Sequence, residues 1–116
     1  MKRRDLMDAI NTPDTFDTPV VFRADRSGPF NGDVTAVFPA DPYDVQGHLM
    51  GSYVHVGQHG GCSWGWYLTT RAARPDEYAD LLAELINIGY RPKVYRRITR
   101  GHRATFNETV RVATLP

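Results

Sequence analysis

The sequence holds a single cysteine, Cys62, in 116 residues. One thiol cannot close an intrachain disulfide, and such scarcity suits a reducing compartment. No apolar run approaches the ~20 residues that a membrane-spanning helix requires. The basic start Met1-Lys2-Arg3-Arg4 is followed by Asp5 and Asp8 rather than by an apolar stretch, so no secretory leader is expected. These features place the chain in the cytoplasm and away from membranes. There is no Walker A motif, no Rossmann glycine pattern and no serine nucleophile elbow, which removes the familiar mononucleotide hydrolases, dehydrogenases and serine hydrolases. Internal repeats and low-complexity segments are absent too. What remains is an ordinary globular composition, 41% hydrophobic and 23% charged, at a length that fits one domain with a real core.

The formal net charge of +1 conceals an asymmetry. Residues 1–90 carry 7 Lys/Arg and 12 Asp/Glu, a net −5; residues 91–116 carry 7 Lys/Arg and 1 Asp/Glu, a net +6. The basic set is Arg91, Lys93, Arg96, Arg97, Arg100, Arg103 and Arg111. Such a skew suits an anionic partner; it equally suits basic strands lying against acidic elements of the same fold or of a second subunit.

Residues 1–18 read as an N-terminal arm, broken by Pro13 and Asp17-Thr18-Pro19, ahead of a single domain over 19–116. Val20–Asp25 and Val34–Phe38 alternate as two strands of a hairpin, with Asn31-Gly32 supplying a positive φ in the turn. Pro39–Gly47 reads as a loop, with Tyr43, Asp44 and His48 as solvent-exposed polarity. A third strand enters at His48 and runs into Gly51-Ser52-Tyr53-Val54-His55-Val56-Gly57-Gln58-His59-Gly60-Gly61-Cys62. Ser63–Thr70, with Trp64 and Trp66, is either a strand or a short helical turn.

Pro75–Ile88 is the clearest helix. Pro75 fits its first turn, Asp76 and Glu77 suit its positive end, and Tyr78, Leu81, Leu82, Leu85 and Ile86 form one stripe. Gly89 stops it. Lys93–Thr99 and Thr105–Ala113 then alternate as two more strands, with Glu108 falling awkwardly on the apolar side. The expected fold is therefore α+β: a small antiparallel or mixed sheet of about five strands, ordered β-β-β-α-β-β, with one amphipathic helix on one face. The uncovered face would bind a ligand or pair with a second copy, so a homo-oligomer is expected.

The glycine-bordered segment concentrates the chemistry. Strand alternation puts Tyr53 and His55 on one face and Val54 and Val56 on the other, the valine side being the natural core. Gly57, Gly60 and Gly61 then allow a turn whose backbone N–H groups converge as an anion-binding nest, with Gln58 and His59 at its tip. A plain β-turn would also account for the glycines, though not for the polar side chains.

Ser52-Tyr53-Val54-His55-Val56-Gly57-Gln58-His59-Gly60, together with Arg74-Pro75-Asp76-Glu77-Tyr78 and Ile88-Gly89-Tyr90, resembles a group of short uncharacterised bacterial and mobile-element (phage or plasmid) proteins. The resemblance spans about residues 19–98. That group has no assigned activity, so the resemblance transfers no catalytic residue. In related sequences a threonine precedes the Pro-acidic segment; Arg74 stands in its place here, which implies a helix without the usual side-chain N-cap.

The leading functional expectation is a non-enzymatic binding module for a small anionic ligand such as a nucleotide. Its site would combine Tyr53, His55, Gly57, Gln58, His59, Gly60 and Gly61 with Trp64 for stacking and Arg96 or Arg97 for charge. If the resemblance to mobile-element proteins holds, a ligand-sequestering counter-defence role would fit. One alternative is a nucleic-acid or protein interaction module using the basic C-terminal strands, with steep salt dependence. Another is a zinc-dependent hydrolase using His55, His59 and Cys62. That spacing is loop-like and has no acidic companion, and a Cys62 nucleophile with His59 as base has little support from sequence adjacency. No catalytic residue, metal or other cofactor is therefore expected.

Overall fold

The computed structural model describes residues 17–26, 32–55 and 58–116; the expected arm over 1–18 lies outside them except for its last two residues. Four strands come first: β1 (Thr18–Ala24), β2 (Val34–Pro42), β3 (Leu49–Val54) and β4 (Gln58–Ser63). Then follow helix α1 (Trp64–Leu68), the two-residue strand β5 (Arg71–Ala72), helix α2 (Pro75–Asn87), strand β6 (Pro92–Tyr95) and helix α3 (Arg100–Ala113). Strands β4, β3, β2 and β1 form an antiparallel meander. The far edge of β1 is shared: β6 runs parallel along Thr18–Val21 and β5 antiparallel along Arg23–Ala24. The chain is thus α+β, as expected, with a mixed sheet. Of its helices, none is long and apolar enough to cross a membrane among the described residues.

Strand alternation sorts the core into two layers. Val20, Phe22, Ala36, Phe38 and Tyr53 face α2 and meet Leu81 and Leu85. Val21, Val37, Met50 and Cys62 face the other way and meet Tyr67 of α1 and Phe106 of α3. The single helix on a single face is therefore corrected: helices cover both faces, and the supposed last strand over 105–113 is the long helix α3. Its start is fixed by a local cap. Thr99 caps the helix, its Oγ1 accepting the His102 N–H at 3.1 Å while His102 Nδ1 accepts the Thr99 N–H at 3.1 Å. Residues His102, Phe106 and Val110 then recur every four positions toward the sheet, and Glu108 pairs with Arg111 one turn away on the exposed side. Consequently the expected strands over 93–99 and 105–113 do not pair as a hairpin. The expected strand over 93–99 shortens to β6, and the basic C-terminal strands become one strand and one helix.

Three smaller expectations also change. The Pro39–Gly47 loop begins later, because β2 continues through buried Pro39 and Ala40 to Pro42, with a register irregularity between Phe38 and Pro42. Asp44 then closes the turn, accepting the Leu49 N–H at 2.8 Å and the His48 N–H at 3.2 Å. Gly47 is required twice over there: its φ is +77°, and a Cβ would sit 2.7 Å from Val110 of α3. On α2, Leu81 and Leu85 are buried, whereas Ile86 is 56% exposed.

The missing N-cap of α2 is supplied from within. Glu77 Oε1 accepts the Arg74 N–H at 2.9 Å, and its two oxygens take a bidentate grip from Arg71 at 2.8 and 2.7 Å. Arg71, followed by the backbone N–H, holds the Glu77 carboxyl down to about 2. A carboxyl depressed in the folded state adds stability above its unfolded pKa of 4.5 and surrenders it as pH falls toward 2. Glu77→Gln should therefore be less stable than the parent at pH 7, and the difference should shrink between about pH 4.5 and 2 as the parent protonates. Urea unfolding across that range measures it; a difference constant with pH would contradict the assignment.

Candidate anion-binding face

The residues singled out from sequence separate across the sheet. Tyr53 is core, 1% exposed, and its hydroxyl donates to Glu84 of α2. The other oxygen of Glu84 lies 2.7 Å from His55 Nδ1. His59 packs edge-on against Tyr53 and holds the Tyr90 hydroxyl at 2.9 Å through Nε2. Burial and then the Asp41 charge raise the Tyr90 pKa, keeping it a phenol. These contacts clasp the β3–β4 hairpin to α2 and to the segment after it.

The expected glycine nest is revised. Gln58, His59, Gly60 and Gly61 are residues of β4, paired with Val54, Tyr53, Ser52 and Gly51. Neither Gly60 nor Gly61 has a positive φ. Gly61 is accounted for by packing, since a Cβ there would meet the Tyr43 ring at 2.6 Å. Gly57 and Val56 lie outside the described residues. The core preference of the hairpin is also inverted, with Tyr53 buried and Val54 half-buried.

Cys62 lies on the opposite face from His59, among Met50, Tyr67 and Phe106. This splits the His55/His59/Cys62 zinc set and the Cys62–His59 pair, because residues 59 and 62 project to opposite sides of one strand. Burial pushes the Cys62 thiol up to about 11, partly opposed by a hydrogen bond with Ser52. At pH 8 about one thiol in a thousand is ionised. Cys62 should accordingly label with iodoacetamide at least about 100-fold more slowly in the folded protein than in urea; equal rates would refute its burial.

The cationic groups converge elsewhere, around Thr70. That residue lies just past the C-cap of α1 and is 1% exposed, its hydroxyl donating to the Tyr67 carbonyl at 2.6 Å. Arg23, on the α3-facing side of β1, donates through Nε to Thr70 Oγ1 and through Nη2 to the Thr70 carbonyl, both at 2.8 Å. Arg26 donates through Nε to the same carbonyl at 3.0 Å. One carbonyl oxygen thus holds two guanidinium groups side by side. Burial first, then the charges of Arg26 and Arg96, lower the Arg23 pKa against an opposing influence from Tyr67. Arg96, at the end of β6, is the third member.

Among the described residues no carboxylate lies within ion-pair distance of Arg23, Arg26, Arg96, Arg97, Arg100 or Arg103. Three clustered like charges without a counter-charge repel one another, and an anion seated among them would relieve that repulsion.

Arg96 also lines a groove of about 300 Å³ with Phe22, Ala73, Tyr78, Val94 and Tyr95. It opens where β6 has left the edge of β1 and β5 has just joined it. Its volume is at the lower end for small-ligand pockets, and Tyr78 lies flat on Phe22 with centroids 4.3 Å apart. A second hollow of about 450 Å³, beside Thr35, Val54, Cys62 and Trp66, carries no charged side chain.

Of the sequence-derived site residues, Trp64 belongs to the face that carries this cluster, Arg96 lines the groove at the sheet edge and acts on Arg23 from there, and Arg97 follows it exposed in the β6–α3 turn. Tyr53, His55 and His59 belong to the opposite clasp. Sequence reading missed Arg23, Arg26 and Thr70, and reached Arg103 only as one of the basic C-terminal residues. The available signal was Arg23, a cation in the middle of an otherwise apolar strand. No protein-family model, curated protein or solved structure matches this chain.

Proposed function

We propose that this protein is a non-enzymatic binding module for a small phosphate-bearing ligand of the nucleotide type. The phosphate is received by Arg23, Arg26 and Arg96, and the base by the adjoining groove. One observation carries the reading: Thr70 gathers two guanidinium groups beside a third, with no carboxylate opposing them among the described residues. Guanidinium forks match phosphate geometry, and the part-buried Arg23 is pre-positioned by its two bonds to Thr70. The clasp of His55, Glu84 and Tyr53 is a structural tie in this reading, so no reaction is assigned. Sequestration of a nucleotide, in keeping with the resemblance to mobile-element proteins, is the corresponding biological role.

Isothermal titration with AMP, ADP and inorganic phosphate tests the proposal. Saturable binding of the nucleotides, weaker for phosphate alone, is the expected result. Absence of heat with all three at millimolar concentration would remove the reading.

A further inference from the structure

Beside the arginine cluster the structure builds a stack that a mononucleotide does not need. Arg103 of α3 lies over the Trp64 ring at 4.6 Å from its centroid. Trp64 lies nearly parallel to Tyr67, 5.1 Å away at 15°. Arg23 covers the same Tyr67 ring at 4.3 Å. The order is cation, ring, ring, cation, and Arg23 then continues into Arg26 and Arg96.

Each part of this row has a separate physical basis. Tyr67 is fixed, 6% exposed, with its hydroxyl accepting the Ile98 N–H at 3.2 Å. Trp64 is held by helix α1, whose N-cap Ser63 accepts the Trp66 N–H at 3.0 Å, yet it remains 39% exposed. A guanidinium held over an indole still has N–H donors to offer a phosphate. Arg97 in the β6–α3 turn and Arg100 at the start of α3 are exposed cations as well. The row lies at the surface rather than in an enclosed cavity: Tyr67 is buried within it, and the part-exposed Trp64 sits among phosphate donors. That is the pattern with which proteins hold single strands without reading sequence.

We infer that the ligand is a single-stranded polynucleotide, laid along Arg103, Trp64 and Arg23 with one nucleotide at the Arg23–Arg26–Arg96 cluster. This rests on the nucleotide-binding reading and extends it. Duplexes fit poorly, because their bases are already stacked on one another and cannot reach an aromatic side chain.

Fluorescence titration distinguishes the possibilities, using AMP, a mixed-sequence eight-nucleotide RNA, the matching DNA, and the duplex of that DNA. A single strand should bind at least about tenfold more tightly than AMP, the equivalent of one stacked base, and should quench tryptophan emission. Affinity should fall steeply with salt. Trp64→Ala should bring the single strand down to the AMP level without changing AMP affinity. Arg103→Ala, which leaves the aromatic pair in place, should lower single-strand affinity several-fold with the same selectivity.

Equal affinity for AMP and both oligonucleotides, unaltered by either variant, would overturn the polynucleotide inference and leave nucleotide binding standing. Tighter binding of the duplex than of the single strands would also overturn it. Failure of every ligand, AMP included, would sink both. Preference for RNA or DNA between the two single-stranded arms identifies the natural strand, and either supports the inference.

Discussion

Arg96→Glu is expected to weaken nucleotide binding about 100-fold while leaving the unfolding free energy within about 0.5 kcal/mol of the parent. The reasoning begins with exposure. Arg96 is exposed, and no carboxylate pairs with it among the described residues. Removing it therefore takes no native ion pair from the folded state. Reversal even relieves its repulsion with Arg23. Binding suffers twice, through a lost charge-assisted hydrogen bond worth about 1.5–3 kcal/mol and a new repulsion toward the phosphate. At about 1.4 kcal/mol per factor of ten, the sum reaches two orders of magnitude. Arg23→Ala is a less clean probe, because it also breaks two hydrogen bonds to buried Thr70. Calorimetric titration beside thermal melting reads both quantities. An Arg96→Glu protein that binds AMP like the parent would show that the phosphate sits elsewhere.

Phe106→Ala should produce the largest loss of stability, about 3–5 kcal/mol. Phe106 is 5% exposed and sits with Val21, Val37, Met50, Cys62 and Tyr67. It is the main anchor of α3 to the second face of the sheet, so its truncation leaves a cavity between two layers that cannot readily close. Against a typical total of about 5–15 kcal/mol, that loss is a large fraction. The melting temperature should fall by on the order of 15 °C. Val112→Ala, on the same helix but 52% exposed, should cost no more than about 0.5 kcal/mol. Urea denaturation followed by circular dichroism gives both values. Equal small losses would mean that α3 is not docked where the structure puts it.

This pair of residues shows why the C-terminal segment is misread from sequence. Phe106, Val110 and Val112 satisfy a two-residue period, and the preceding strand β6 makes a hairpin attractive. Phe106 and Val110 also satisfy a helical period once His102 is admitted to the apolar face, with Val112 left exposed, and Glu108 is then no longer out of place. Buried His102 is the arbiter: packed edge-on against Tyr95 at 4.4 Å, it caps the helix and faces the sheet together. A short segment with both periods is settled by the surface waiting for it, here the Val21–Val37–Met50 side of the sheet.

The site was legible in a similar degree. Trp64 and Arg96 were visible as a stacking group and a charge. The glycine-bordered hairpin drew attention for its residue types, yet its tyrosine and histidines serve Glu84 and Tyr90. Arg23 and Arg26 precede Thr70 by more than forty residues, and nothing local announces that they meet on one carbonyl.

By itself the chain determined its class, the β1–β2 and β3 strands and the α2 helix, because alternation, helical periodicity and Pro/Gly punctuation act over a few residues at a time. The capping and turn chemistry at Thr99, Asp44 and Gly89 belongs to that same short range. Only the tertiary structure decided which face each layer covers, that α3 is a helix, and where the cations gather. Those outcomes depend on contacts between residues far apart in sequence, and their energy exists only once the sheet has formed.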